Sequence, residues 1–243
     1  MSSTVETGHA KNVANFENLM VCVMDYGARY APRKAALQLP QLEALLSQAQ
    51  QILSDVTQKR SAYKIAVNQR QVIFTNLNYL VTRVMASLNT TDADDKLIED
   101  AKIYQRKLRG LRATPKIKSN DELNVALPPR NSVSQQSYTQ KVQHFEGLIS
   151  IINREPTFDP TEPDLQIASL ENFKNTLSQK SRAVMQTQSQ WIDARIQRDR
   201  IFYTAPNALV TIANAVKEEV KSIFGTNSPE YNKIKKCKFA TLI

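Results

Sequence analysis

NQRQVIF at residues 68–74 returns as IQRDRIF at residues 196–202, with Gln69, Arg70, Ile73 and Phe74 matched by Gln197, Arg198, Ile201 and Phe202. Either a site or a piece of architecture has been written twice. The match extends well beyond these seven residues, which favours architecture. NFENLM at 15–20 meets HFEGLI at 144–149, LQLPQLEAL at 37–45 meets LQIASLENF at 165–173, and NYLVT at 78–82 meets NALVT at 207–211. EDAKIYQRKL at 99–108 meets EYNKIKKCKF at 230–239, so the offset holds at 128–131 residues along nearly the whole length.

What recurs is chiefly an apolar pattern at helical spacing. Leu42, Leu45, Ala49, Ile52, Val56, Lys59, Tyr63, Ala66, Arg70 and Ile73 alternate steps of three and four, the spacing of a seam between packed helices. The second series runs Leu170, Phe173, Leu177, Lys180, Val184, Thr187, Trp191, Ala194, Arg198 and Ile201. Val13, Phe16, Met20 and Val23 are answered in the same way by Val142, Phe145, Ile149 and Ile152. Each such stripe needs another helix to cover it. The sequence therefore predicts an all-α protein, an elongated antiparallel helical bundle of two tandem homologous repeats with a pseudo-twofold relation. Residues 1–111 form the first repeat and 138–243 the second, the two packing as one structural unit. Between them, 112–137 has no period and three prolines and reads as a linker.

Within each repeat the pattern predicts a short helix, a loop, a long helix of about 35 residues, a break, and one or two shorter helices. Pro206 is placed at the opening of a helix, with Thr204 or Ala205 near its N-cap. At the matched TNLNYLV, residues 75–81, a break or a kink is expected. GTNSPEY at 225–231 predicts Ser228 as N-cap with Pro229 at the first helical position.

Composition agrees with this class. Five glycines, one tryptophan and 42% hydrophobic residues suit a helical protein with a true core. Cys22 and Cys237 stand in no CxxC or Cys/His spacing, which points to neither a zinc site nor a disulfide framework but to small buried apolar residues. The N-terminal MSSTVETGHAKN lacks a basic then apolar leader, and the longest strongly apolar run is the six residues LMVCVM, so a soluble cytoplasmic protein without a transmembrane segment is expected.

The net charge of +9 invites an anionic partner. Most of it is dispersed, with one exception: Lys102, Arg106, Lys107, Arg109, Arg112, Lys116 and Lys118 follow one another with no acid from 101 to 118. The second repeat answers with Lys233, Lys235, Lys236 and Lys238. Both repeats thus end in a basic helix, a candidate surface for phosphate, an acidic protein or anionic lipid. Only Tyr104 interleaves the first cluster, too little aromatic surface to stack bases.

Arg70 and Arg198 fall on seam positions, where an unpaired charge is costly. Glu17 and Glu146 recur in NFE and HFE, which predicts one ion pair per repeat, Arg70 with Glu17 and Arg198 with Glu146. The acids of TTDADDKLIED, Asp92, Asp94, Asp95, Glu99 and Asp100, lack the glycine and terminal glutamate of a calcium loop and suit the cap of a helix better. His9 is expected in a frayed terminus and His144 at a helix surface. HExxH, GxSxG and the glycine-rich phosphate loops are absent from the sequence. No catalytic residue, metal ligand, cofactor or small-molecule substrate is indicated.

YAP at 30–32, the LQLPQLEAL stretch, Arg70 followed by an apolar pair and Phe74, KIYQRKLRGLRA at 102–113, FGTNSPEY at 224–231 and the closing Lys238-Phe239 together resemble a group of uncharacterised bacterial tandem helical proteins. That resemblance implies the duplicated helical build and brings no activity or site with it. The expected function is a non-enzymatic helical scaffold or interaction protein, binding another protein or a second copy of itself. The alternative is a binder of nucleic acid or another anionic surface through the basic helices.

Overall fold

The structure, a computed structural model, describes residues 4–111 and 136–241. Every regular element among them is helical. In chain order these are α1 (Thr4–Asp25), α2 (Leu39–Leu88), α3 (Asp95–Arg109), α4 (Tyr138–Ile152), α5 (Ile167–Asp199), a π-helical turn (Arg200–Thr204), α6 (Leu209–Phe224) and α7 (Pro229–Lys235). Short 3₁₀ turns at Gly27–Arg29 and Ala35–Leu37 lead from α1 to α2. Among the described residues no helix is long and apolar enough to cross a membrane.

The helix ends are set by side chains the sequence supplies at the right places. The Asp94 carboxylate accepts the Leu97 amide at 2.6 Å and starts α3, and Gly110, at φ 72°, stops it in the left-handed region that suits glycine. Ser137 and Gln140 cap α4 reciprocally, each side chain bonding the other's amide. Ser228 accepts the Tyr231 amide at 3.1 Å, with Pro229 next in line, as the sequence predicts for α7.

Two expectations about the long helices change. α2 runs unbroken for 50 residues through Thr75–Tyr79. Thr75, Asn76 and Asn78 point outward, where they cost a few tenths of a kcal/mol each in propensity, while Leu77, Leu80 and Val81 are buried and hold the helix. At the matched place beyond α5 stands Pro206, which has no N–H to continue the ladder. The chain accordingly widens into the π turn and then leaves the helix. Pro206 lies in the connecting turn, and α6 starts three residues later with Ala208 as N-cap, so the proline does not open the helix.

Contacts divide the chain into two compact units, Met1–Tyr63 with Thr187–Ile243, and Lys64–Gln186. The division falls inside α2 and inside α5, so each long helix serves both units. In the first, Phe16, Leu19 and Val23 of α1 pack with Leu42 and Ala49 of α2, Phe202 of the π turn, Ile212, Val216 and Val220 of α6, and Ile234 of α7. In the second, Phe74, Leu77, Val81, Val84 and Leu88 of α2 meet Leu108 of α3, Phe145, Leu148 and Ile152 of α4, and Leu170 and Leu177 of α5. Each such side chain contributes about 1.5–3 kcal/mol on burial. Every member of both predicted seam series is buried or half-buried. α3 and α4 approach closely because position 147 is a glycine. A Cβ there would lie 2.2 Å from the Tyr104 ring.

Candidate functional site

In the first unit, three polar side chains enter the core. His9, Asn12 and Arg198 are exposed by 0, 1 and 2%. Polar groups this deep need partners, and the π turn supplies one. It inserts Phe202 into the core and brings the Tyr203 hydroxyl to 2.7 Å from His9 Nδ1, while Asn12 Nδ2 donates to the same hydroxyl at 3.3 Å. The His9 ring stands edge-on to Phe202, centroids 5.8 Å apart. Arg198 donates from Nε and Nη2 to Asp199 Oδ1 at 3.0 and 2.8 Å.

Asn12 does more than close this cluster. Its Nδ2 donates to the Ala240 carbonyl at 2.8 Å and its Oδ1 accepts the Ala240 amide at 3.1 Å, so one carboxamide pairs with both backbone groups of one residue. Asn15 Nδ2 adds a bond to the Lys238 carbonyl at 2.6 Å. From α6, the Lys217 ammonium donates to the Cys237 carbonyl and sits 4.9 Å from the centre of the Phe239 ring. Burial lowers the pKa of Lys217. The residues after α7 thus form a strap fixed across α1 through its backbone. Behind it the buried His9 and Asn12 both meet the hydroxyl of the half-buried Tyr203, and Asn12 holds the strap.

Two open grooves of the second unit, of about 590 and 700 Å³, share Arg83 in their walls. The first is lined by hydroxyls, among them Ser87, Thr90, Thr157 and Thr161, and the second by Tyr79, Leu80, Pro163 and Phe173. Arg83 holds Asp164 through both guanidinium nitrogens, Nη2 to Oδ1 at 3.1 Å. That bond holds the Asp164 carboxyl below its ordinary range. A general acid needs the opposite shift, so the groove carboxylate nearest the aromatic surface is suited to structure. Among the described residues no group of three or more histidine, cysteine, aspartate or glutamate side chains is placed to hold a metal ion.

The predicted site residues separate as follows. On α3, Lys102 and Arg109 are exposed, and Arg106 and Lys107 half-buried. Lys107 lies 5.4 Å from the Tyr104 ring centre and Arg109 donates to Thr82 Oγ1 at 2.9 Å, so both have intramolecular partners. Arg112, Lys116 and Lys118 lie outside the described residues. Lys233, Lys235, Lys236 and Lys238, on α7 and the strap, all face solvent. Asp94 is the α3 cap, and Asp92, Asp95, Glu99 and Asp100 are exposed around it.

The seam arginines take other partners than those expected. The Arg70 guanidinium stacks 4.0 Å above the Tyr138 ring, Arg198 holds Asp199, and Glu146 receives Lys174 at 3.3 Å. Glu17 is exposed, and it belongs with Arg198 to one compact unit while Arg70 and Glu146 belong to the other. His9 is corrected from a frayed end to a fully buried residue. His144 is half-buried 6.4 Å from Tyr104, and burial first, then Lys107, lowers its pKa. Cys22 and Cys237 are half-buried. The missed signal at the first unit was positional: His9, Asn12 and Phe16 continue one helical stripe, so two polar residues stand where the pattern asks for apolar ones. Comparison of the chain with protein-family models, curated proteins and solved structures finds no match to any of them.

Proposed function

We propose that this chain is a non-enzymatic helical interaction protein of the cytoplasm, built from two related copies and recognising a partner protein along the outer side of α2. One observation carries the reading. Ile65, Val72 and Tyr79, seven residues apart, are 54, 64 and 69% exposed. At 100° per residue they form a line about 160° around the helix from the stripe of Ala66, Phe74, Leu77 and Val81 that enters the core. A helix apolar on two opposed sides has a second surface to cover. Matched residues also behave alike, which supports a duplicated origin. Phe16 and Phe145 are fully buried, as are Leu42 and Leu170. Tyr63 and Trp191, counterparts in the two series, stack on each other with centroids 5.6 Å apart.

The test replaces the line by serines, Ile65→Ser with Val72→Ser and Tyr79→Ser. Sedimentation and partner capture from a native extract are compared at equal far-UV dichroism. The expected result is that the wild type associates, with itself or another protein, and the variant does not. A wild type that stays monomeric and captures nothing, or a variant that associates as well, overturns the reading. The solvent-facing Lys233, Lys235, Lys236 and Lys238 favour a second reading, a binder of anionic surfaces such as nucleic acid. Its mark is an affinity for a polyanion that falls steeply as salt rises, and no polyanion binding at low salt eliminates it.

A further inference from the structure

The two cysteines are 215 positions apart in sequence, yet the packing of α1 against the C-terminal segment brings them to one place. Asn12, Asn15, Leu19, Cys22 and Tyr26 follow steps of three and four and lie along one side of α1. The C-terminal segment runs along that side in the opposite direction. At one end, the Tyr26 hydroxyl donates to the Glu230 carbonyl at 2.8 Å and Arg29 meets the Glu230 carboxylate at 3.3 Å. At the other, Asn15 holds Lys238 and Asn12 holds Ala240. Cys22 is on α1 between Asn15 and Tyr26, and Cys237 is on the facing segment between Glu230 and Lys238. Both are half-buried against the same core of Leu19, Val23 and Ile234.

We infer that Cys22 and Cys237 form a reversible disulfide that locks the C-terminal strap onto α1. The proximity has a second sign: burial, and next to it the Cys22 thiol, push the Cys237 thiol above its ordinary value, so the two groups feel one another. Raised in this way, the Cys237 thiol stays protonated at neutral pH, and the pair stays reduced until an oxidant arrives. The oxidant is a low-molecular-weight disulfide of the glutathione class. One cysteine loses its proton and attacks a sulfur of that molecule, giving a mixed disulfide and releasing one small thiolate. The second cysteine loses its proton and attacks the protein sulfur of the mixed disulfide. The Cys22–Cys237 bond forms and the second small thiolate leaves. The protein gives up two electrons and two protons, and the oxidant takes both, becoming two thiols. In the reduced state the strap is held without a covalent link, by the asparagine clamp and Lys217; in the oxidised state it is covalently closed over the His9–Asn12–Tyr203 cluster.

The experiment uses the full wild-type chain, dilute, incubated with oxidised or reduced glutathione. Expected on oxidation is an intact mass lower by two hydrogens, a proteolytic peptide linking Cys22 to Cys237, and a chain that remains a monomer on a non-reducing gel. Hydrogen exchange at the Ala240 amide, which Asn12 accepts, slows at least about tenfold and recovers on adding dithiothreitol. Cys22→Ser and Cys237→Ser each stop at a single glutathione adduct. Two thiols that stay free, two separate glutathione adducts, a link between two chains, or an Ala240 exchange rate unchanged by a formed bond would each overturn the inference.

Discussion

Gly147→Ala isolates the closest approach in the second unit. A methyl group built at this position of α4 would stand 2.2, 2.5 and 2.9 Å from Cε1, Cζ and Cδ1 of Tyr104, against an ordinary carbon contact of about 3.5–4.0 Å. An overlap of more than an ångström with three ring atoms is not relieved by small shifts. Either the ring turns out, leaving Lys107 and His144 without their neighbour, or α3 and α4 separate. Overpacking of this kind costs about 1–3 kcal/mol, and the depth of the overlap places it at the upper end. Exchanging glycine for alanine inside a helix returns about 1 kcal/mol, which leaves a net loss of about 1–2 kcal/mol. The control is Tyr104→Ala. With the ring gone the three nearest contacts of the new methyl are removed, and Gly147→Ala should then stabilise by about 1 kcal/mol, a coupling of about 2–3 kcal/mol across the cycle. Urea unfolding followed at the helical dichroism band, with hydrogen exchange of the α3 and α4 amides to confirm where the loss falls, reads both numbers. If Gly147→Ala is neutral or stabilising by itself, or costs the same with and without Tyr104, the close approach is not what the glycine is for.

Two further outcomes are expected. Asn12→Ala removes both bonds to Ala240 and one to Tyr203; at about 1–2 kcal/mol of local stability, exchange of the Ala240 amide should speed up roughly 5–30-fold while α3 and α4 are unaffected, and a uniform change over the chain would contradict the clamp. His144, whose pKa is lowered by burial and then by Lys107, takes up its proton later in the folded chain than in the unfolded one. Stability is therefore full above the ordinary histidine value of about 6.5 and declines as pH falls below it; urea midpoints on either side of that value should differ in the wild type and differ less in His144→Gln, and equal slopes would refute the assignment.

The helical class and the core were legible because a seam repeats a simple requirement. Leu42 to Ile73 and Leu170 to Ile201 keep their spacing over ten positions each, and the structure buries or half-buries every one. Caps were equally readable where one residue type does one task, as Ser228 and Pro229 do for α7. What a seam cannot carry is the identity of its cover, since an apolar stripe reads the same whichever helix lies on it. Hence the sequence gives no hint that contact boundaries fall in the middle of α2 and α5. The same ambiguity misassigned the arginines. A charge on a seam needs a partner, but an aromatic face serves as well as a carboxylate, and Tyr138 is what Arg70 meets. The break after α5 shows the complementary rule, that covalent chemistry is more legible than propensity: Pro206 ends its helix, whereas three exposed polar residues at the matched place in α2 are outweighed by Leu77, Leu80 and Val81 beneath them.

The strap was illegible for a deeper reason. Asn12 recognises the backbone N–H and C=O of one residue, and every residue but proline carries the same pair, so nothing in the side chains of Lys238-Phe239-Ala240 announces that it will be held. The sequence showed the other half of the interaction: a carboxamide and an imidazole on a stripe that is otherwise apolar. A buried asparagine among Val13, Phe16 and Leu19 loses its hydration and must recover a donor bond and an acceptor bond together. One residue of extended backbone, whose own N–H and C=O point to the same side, is the smallest stretch of main chain that satisfies both. Polar residues out of place on a core stripe are therefore the signal to follow, and they point to a segment of backbone that the pattern of side chains leaves unmarked.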